Sequence, residues 1–309
     1  MRAVDRHVPA GNGETAVVRG TDNTLRDAVQ AALNDRVVSM SVLRGGDVAD
    51  AYRVECASSG VVFAKTHRSP PPGFFTTEAA GLCWLRYAAA VPVPEVLAVD
   101  DGERYGVPML VLEWIEQSPR APDDAAFGRS LAALHAAGAP AFGREDRRST
   151  GSRGLPNEPM PSWPEFYASQ RLRPIARLIR GAAHLDDGLA SRVEEVASRA
   201  ESLAGPTEPP ARLHGDLWAG NRIVDGSGNS WLIDPACFGG NREFDLAMMR
   251  LFGGFSDVAF RSYDEVQPLA AGWEKRVPLY QLAPLAVHAV KFGGSYVSGL
   301  DRALRALDR

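Results

Sequence analysis

Leu213-His-Gly-Asp-Leu-Trp-Ala-Gly-Asn221 is followed closely by Trp231-Leu-Ile-Asp-Pro-Ala-Cys-Phe238. Between them, Ile223 to Val224 and Ser230 to Ile233 read as two short apolar strands. The turn that joins them is Asp225-Gly226…Gly228-Asn229. This reading puts Asp216 and Asn221 ahead of a hairpin and Asp234 at its far end. An ordinary hairpin with polar ends would explain any one of these residues. It does not explain the set.

Phoshoryl transfer does explain it. That chemistry asks little covalent work of a protein, only a nucleophile held in line, a metal ion or two, and charge stabilisation. Asp216 is the candidate to accept a hydroxyl proton. Asn221 and Asp234 are the candidate Mg²⁺ ligands, because a hard cation prefers oxygen and keeps some of its waters.

These stretches resemble the aminoglycoside phosphotransferase-like branch of the kinase fold. Within it, His214-Gly-Asp-Leu-Trp-Ala-Gly-Asn221 is similar to the fructosamine kinase (ketosamine 3-kinase) family, with Trp218-x-Gly220-Asn221 the narrower signal. Ile233-Asp-Pro-Ala-Cys-Phe-Gly-Gly240, Glu243-Phe-Asp-Leu-Ala247, Leu251-Phe-Gly-Gly-Phe255 and Tyr280-Gln-Leu…His288…Phe292-Gly-Gly…Tyr296 also resemble that family.

The resemblance implies an α+β, two-lobed, protein-kinase-like fold. An N-lobe of antiparallel sheet with one main helix is expected over 23–112, and a mostly helical C-lobe over 113–309. Residues 1–22 are expected to be a flexible extension. The implied cofactors are ATP and Mg²⁺. The implied acceptor is the C3 hydroxyl of a ketosamine, small or protein-bound, as a step of protein deglycation. A kinase of the aminoglycoside or choline type is the alternative, and Trp218-x-Gly-Asn argues against it.

Composition narrows the field from another side. A net charge of −4 argues against a dedicated nucleic-acid or anionic-membrane partner. The longest apolar candidate, Leu282 to Leu300, is interrupted by His288, Lys291 and glycines. Cys56, Cys83 and Cys237 have no metal spacing and leave one thiol over. Met1 to Gly20 has no apolar core. A soluble protein of the reducing cytoplasm is expected; the oligomeric state stays open.

Three short strands are expected at Val37 to Leu43, Ala51 to Cys56 and Val61 to Thr66, after a helix from Thr24 to Asn34. Gly45-Gly46 is either a simple turn or a phosphate-covering loop. Lys65 supports the second. Only three of the 34 Lys and Arg residues are lysines, and Lys65 falls where kinases place the lysine that binds the α/β-phosphates. Thr76 is the expected N-cap of a helix reaching Ala90, with Leu82, Leu85 and Ala89 on its buried stripe. Glu78 is either a first-turn helix-dipole residue or the partner of Lys65, and the resemblance favours the pair. After strands at Val96 to Val99 and Met109 to Trp114, Glu113 to Gln117 is the expected hinge. There the backbone of Glu113 and Ile115 would meet adenine.

Further along, Asp123 or Asp124 is expected to cap a helix to Ala137, with His135 packed in the core. Ala139 to Pro164 reads as loop. Glu165 to Arg180 and Gly188 to Leu203 read as helices whose arginines face solvent. His214 is expected to hold the metal loop's backbone. Asp245 is expected to cap a helix or pin the catalytic loop, and Glu243 to do either. Trp218 is the candidate floor for a sugar. His288 matches a family position near the acceptor, with a purely structural role almost as good an explanation.

Overall fold

A computed structural model describes residues 21–43, 49–146, 149–150 and 154–308. Residues 1–20 of the expected 1–22 extension and the Gly45-Gly46 loop lie outside the described residues, while Thr21 and Asp22 belong to the first helix rather than to an extension.

The chain opens with helix α1 (Thr21–Leu33) and strands β1 (Val37–Leu43), β2 (Asp50–Cys56) and β3 (Gly60–Thr66). Helix α2 (Phe74–Tyr87) leads into β4 (Val96–Asp101) and β5 (Pro108–Glu113). These strands form one antiparallel sheet in the order β1-β2-β3-β5-β4. Its two faces follow from the two-residue period of a strand. Val62 and Ala64 of β3, with Met109 and Val111 of β5, face Leu25 and Val29 of α1. Leu110 and Leu112 point the other way, onto Leu82 and Leu85 of α2. Lys65 pairs in register with Leu110, so it too projects toward α2.

The rest is mostly helical: α3 (Asp124–Ala136), α4 (Trp163–Phe166), α5 (Arg173–Arg180), α6 (Asp187–Ser198), α7 (Ala200–Leu203), α8 (Glu243–Phe252), α9 (Asp257–Val266), α10 (Trp273–Phe292) and α11 (Ser295–Leu307). A π-helical stretch, Tyr167–Leu172, joins α4 to α5. Short pairs β6 (Ser149–Thr150) with β7 (Leu155–Pro156), β8 (Ala211–Leu213) with β11 (Phe238–Gly240), and β9 (Arg222–Val224) with β10 (Ser230–Leu232) complete it. The α+β class is as expected. Among the described residues no helix is long and apolar enough to cross a membrane.

One apolar core runs without a break from the sheet into the helices. It joins Leu82, Leu85 and Leu112 to Leu131 of α3, Leu246 of α8, and Leu217 and Leu232 beside the β9–β10 hairpin. α2 is also pressed onto the chain after that hairpin. A Cβ on Gly81 would lie 3.3 Å from both Cys237 Sγ and Pro235 Cγ.

Several local expectations are corrected. Thr76 does not cap α2. The helix starts behind Gly73 in the left-handed region, and Asp101 from the end of β4 does the capping. Asp101 accepts from the Phe75 N–H at 3.0 Å and from the Thr76 hydroxyl at 2.6 Å. The helix also stops at Tyr87. Ala89 lies past its end, exposed, with φ of 50°. Glu243 neither caps nor pins; it forms a buried ion pair with Arg276. The stretch after Ala139 is not simply loop, because Phe142 and Asn157 are buried and Phe142 and Gly143 bridge to Met160 and Gly239.

Arg171 is the largest departure from the expected solvent-facing arginines. It is 2% exposed in the π-helical stretch. Its guanidinium lies over the Phe238 and Phe166 rings, 4.1 and 4.8 Å from their centres. It donates to the Pro156 carbonyl at 2.5 Å and to Asn157 Oδ1 at 2.7 Å. Arg173, Arg177 and Arg180 do face solvent.

Candidate active site

The strand period that turns Lys65 toward α2 brings its ammonium to Glu78 and to Asp234. Nζ is 2.5 Å from Glu78 Oε1 and 2.8 Å from Asp234 Oδ1. Burial works against the Lys65 ammonium, but the two carboxylates outweigh it and hold the pKa above the usual lysine value. Burial pushes the Glu78 carboxyl up to about 7 despite Lys65, and the Asp234 charge adds to that. Asp234 stands on the open side of this pair; partial loss of hydration acts against its charge, yet its contact with Lys65 keeps it below the ordinary carboxylate value. Its backbone adopts φ of 52°. A non-glycine residue there is strained, and such strain is most often tolerated where a side chain must be aimed.

Asp216 and Asn221 reach the same cleft by a different route. β8 ends at Leu213, and the turn that follows needs Gly215 at φ of 81°, where a Cβ would strike the Ala236 carbonyl. Asp245 of α8 fixes that turn, accepting from the His214 and Gly215 N–H groups at 2.7 and 2.9 Å. His214 accepts from the Asp216 N–H at Nδ1, 3.2 Å, and donates from Nε2 to the Ile233 carbonyl, 3.0 Å. An N–H only donates and a carbonyl only accepts, so the ring is a neutral Nε2–H tautomer. Burial, which lowers the His214 pKa, agrees. The imidazole therefore ties the Asp216 turn to the residue before Asp234.

Asn221 ends a 3₁₀ turn, Ala219–Asn221. Its amide nitrogen donates to the Asp216 carbonyl at 2.9 Å and to Asp216 Oδ2 at 3.1 Å. Loss of hydration pushes the Asp216 carboxyl up to about 7. The Asn221 hydrogen bond opposes the rise, and the Asp234 and Asp245 charges add to it. With its nitrogen engaged, Asn221 leaves its amide oxygen for another partner. That oxygen and the exposed Asp234 carboxylate are hard donors of the kind Mg²⁺ takes. Among the described residues no cluster of three or more His, Cys, Asp or Glu forms a metal cage. A cation held by two protein oxygens, with water and phosphate completing the set, fits these residues.

At the edge of the cleft, Trp218 is 39% exposed. Its indole lies across Gly220, where any Cβ would clash with the ring. This is the physical reason for Trp-x-Gly. Trp218 also meets Phe252 edge-to-face, with ring centres 5.8 Å apart. His288 is partly buried, donates from Nδ1 to the Pro284 carbonyl at 2.8 Å, and stands 5.3 Å from the Phe252 ring. The Glu113 N–H is spent on the Glu95 carbonyl at 2.9 Å. Ile115 lies in the extended connection to α3, and its backbone makes no hydrogen bond among the described residues.

Lys65, Glu78, Asp216, Asn221 and Asp234 thus converge, while Trp218 and His288 flank them through Phe252. Phe252 and Tyr296 belong to motifs quoted above but had no expected role there. Residues 21–308 match the sequence profile of the fructosamine kinases. The chain belongs to the fructosamine kinase family. An Enterococcus faecium relative named "Probable ketoamine kinase" is 35% identical over 282 residues, covering 89% of this chain and 98% of that one. A Thermobifida fusca protein, assigned as a fructosamine-3-kinase, has a crystal structure that matches with a TM-score of 0.84 and 39% identity. The match covers 93% of this chain and 99% of that one. An aminoglycoside phosphotransferase in ternary complex with AMP-PNP and hygromycin B shares the fold, at a TM-score of 0.62 and 14% identity over 92% of this chain and 98% of that one. As a member of this family the chain is a kinase-fold phosphotransferase.

Proposed function

We propose that this family member transfers the γ-phosphoryl group of ATP to the C3 hydroxyl of a ketosamine. The observation that carries the reading is the meeting of Asp216 and Asn221 with the Lys65–Asp234 pair in one cleft, beside an exposed indole. Asp216 takes the proton of the acceptor hydroxyl and keeps its oxygen in line. Lys65, oriented by Glu78, holds the α- and β-phosphates of the nucleotide. Asn221 and Asp234 hold Mg²⁺, which when bound neutralises charge on the phosphates. The backbone at Glu113 and Ile115 receives adenine. Trp218 supports the sugar, with His288 near it.

The product gives the reaction a purpose. Loss of a C1 proton turns the ketosamine into a C1=C2 enaminol, in which a phosphate on C3 is allylic. The nitrogen lone pair expels it as inorganic phosphate, and water hydrolyses the C1 imine left behind to the free amine and a 3-deoxy dicarbonyl sugar. This is the chemistry of a deglycation step acting on small or protein-bound ketosamines in the cytoplasm.

The test is ATP consumption over a panel of fructosamines, ribulosamines and aminoglycosides, with product phosphate located by NMR. Phosphorylation of ketosamines at C3 is expected, with Asp216→Asn at least ~10²-fold slower in kcat. Turnover confined to aminoglycosides, or near-normal turnover by folded Asp216→Asn, would overturn the reading.

A further inference from the structure

Beyond Trp218, aromatic rings run outward in contact. Phe252, at the end of α8, meets His288 at 5.3 Å and Tyr296 at 6.2 Å between ring centres. His288 meets Tyr296 at 5.0 Å, and Phe292 lies 5.8 Å from both. Trp218, Phe252 and Phe292 leave 39%, 37% and 48% of their surface open, and none packs into the three cores. Single exposed apolar side chains are ordinary; a contiguous exposed group next to a cleft marks a binding surface. One ligand chemistry is already present on it. The Lys291 ammonium, on its aliphatic stem, lies 4.6 Å from the Phe292 ring centre.

We infer that Phe252, Phe292 and Tyr296 extend the acceptor site and bind the acceptor's amine-bearing arm, an alkylammonium with an aliphatic chain. This rests on the ketosamine reading. In a ketosamine the nitrogen sits on C1, near the C3 hydroxyl, so an acceptor placed at Asp216 and Trp218 sends its arm out along the adjoining rings. The secondary amine is cationic at neutral pH, and ring faces attract a cation as they attract Lys291. The methylenes beyond it cover aromatic surface that folding leaves open. The wall therefore favours ketosamines on a lysine-like arm over the same sugar without an arm.

Two acceptors with the same sugar and nitrogen test this: 1-amino-1-deoxyfructose and fructosamine on the ε-nitrogen of α-blocked lysine. The readout is the ratio of kcat/KM for the long-arm acceptor to that for the armless one. It should exceed one in the wild type and fall about three- to tenfold in Phe292→Ala and in Tyr296→Leu. Phe252→Leu, which keeps bulk and removes the ring, should lower it too. An unchanged ratio in folded variants overturns the inference and leaves the proposed function standing. A wild type that prefers the armless acceptor does the same. A wild type that phosphorylates neither this pair nor the corresponding pair of ribulosamines overturns both.

Discussion

Asp216 stands at about 7 through loss of hydration, opposed by Asn221 and helped by two neighbouring carboxylates. If it is the base, it works only when deprotonated. Activity then falls as pH drops through its pKa. A cation held by Asn221 and Asp234 would stabilise the carboxylate, and so move that pKa downward. The acid limb of kcat/KM is expected below pH 7, and lower at saturating than at limiting Mg²⁺. Profiles at two Mg²⁺ concentrations check this; a limb that stays in place separates Asp216 from the cation. Trp218 gives a second prediction. Its ring is partly exposed and held over Gly220, so Trp218→Ala removes little core. The acceptor KM should rise about tenfold while the ATP KM barely moves. A core tryptophan would instead cost ~3–5 kcal/mol of stability, visible in a thermal melt.

At the scale of the element, α8 and the Asp216 turn are held together by one carboxylate. Asp245 is fully buried and accepts two backbone N–H groups, with the His135 ring 3.3 Å from Oδ2. Asp245→Ala leaves those donors unpaired, at a cost on the order of 3 kcal/mol. A melt should drop by roughly 5–10 °C, with kcat falling because the turn loosens. Asp245→Asn should recover part of both. A normal melt with normal kcat would show that the turn holds itself.

The β9–β10 hairpin was legible because its signals are local: an Asp-Gly turn between apolar pairs, then an Asp. An Asp cap on α3, left open between Asp123 and Asp124 and made by Asp123, which accepts from the Ala126 N–H, and the buried His135 were legible for the same reason. What was not legible depends on partners distant in sequence. The α2 cap comes from Asp101, a strand away, so the nearby Thr76 looked sufficient. Arg171 has the helical spacing of a surface residue. Its burial needs Phe238 and Asn157, which only the tertiary structure brings beside it. Lys65 stood out through rarity and position. Phe252 and Tyr296 lie in recognisable motifs, but their contact is set by how α8, α10 and α11 cross.

For the whole molecule, the proposed ligands link the sheet to the helices. Lys65 and Glu78 come from the sheet side and Asp216, Asn221 and Asp234 from the helical side. A nucleotide that needs both, with its cation, should stabilise the fold as any ligand of the native state does. AMP-PNP with Mg²⁺ is expected to raise the melting temperature, and AMP-PNP with EDTA to raise it much less. Equal shifts in the two would remove the cation from the site.

The close seat of Gly81 on Cys237 and Pro235 bears on how such an enzyme can be inhibited. In kinases whose Glu-bearing helix swings aside, an inhibitor can occupy the space it vacates. Here that helix is packed closely against the chain just beyond Asp234, and a methyl group at Gly81 would sit only 3.3 Å from Cys237 Sγ and Pro235 Cγ. A compound of that kind would have to part α2 from Cys237 and open a core that also carries Leu217 and Leu232. Selective ligands should therefore come from the outer end of the cleft, where aromatic surface is already exposed, and screens built on displaced-helix scaffolds should return few hits.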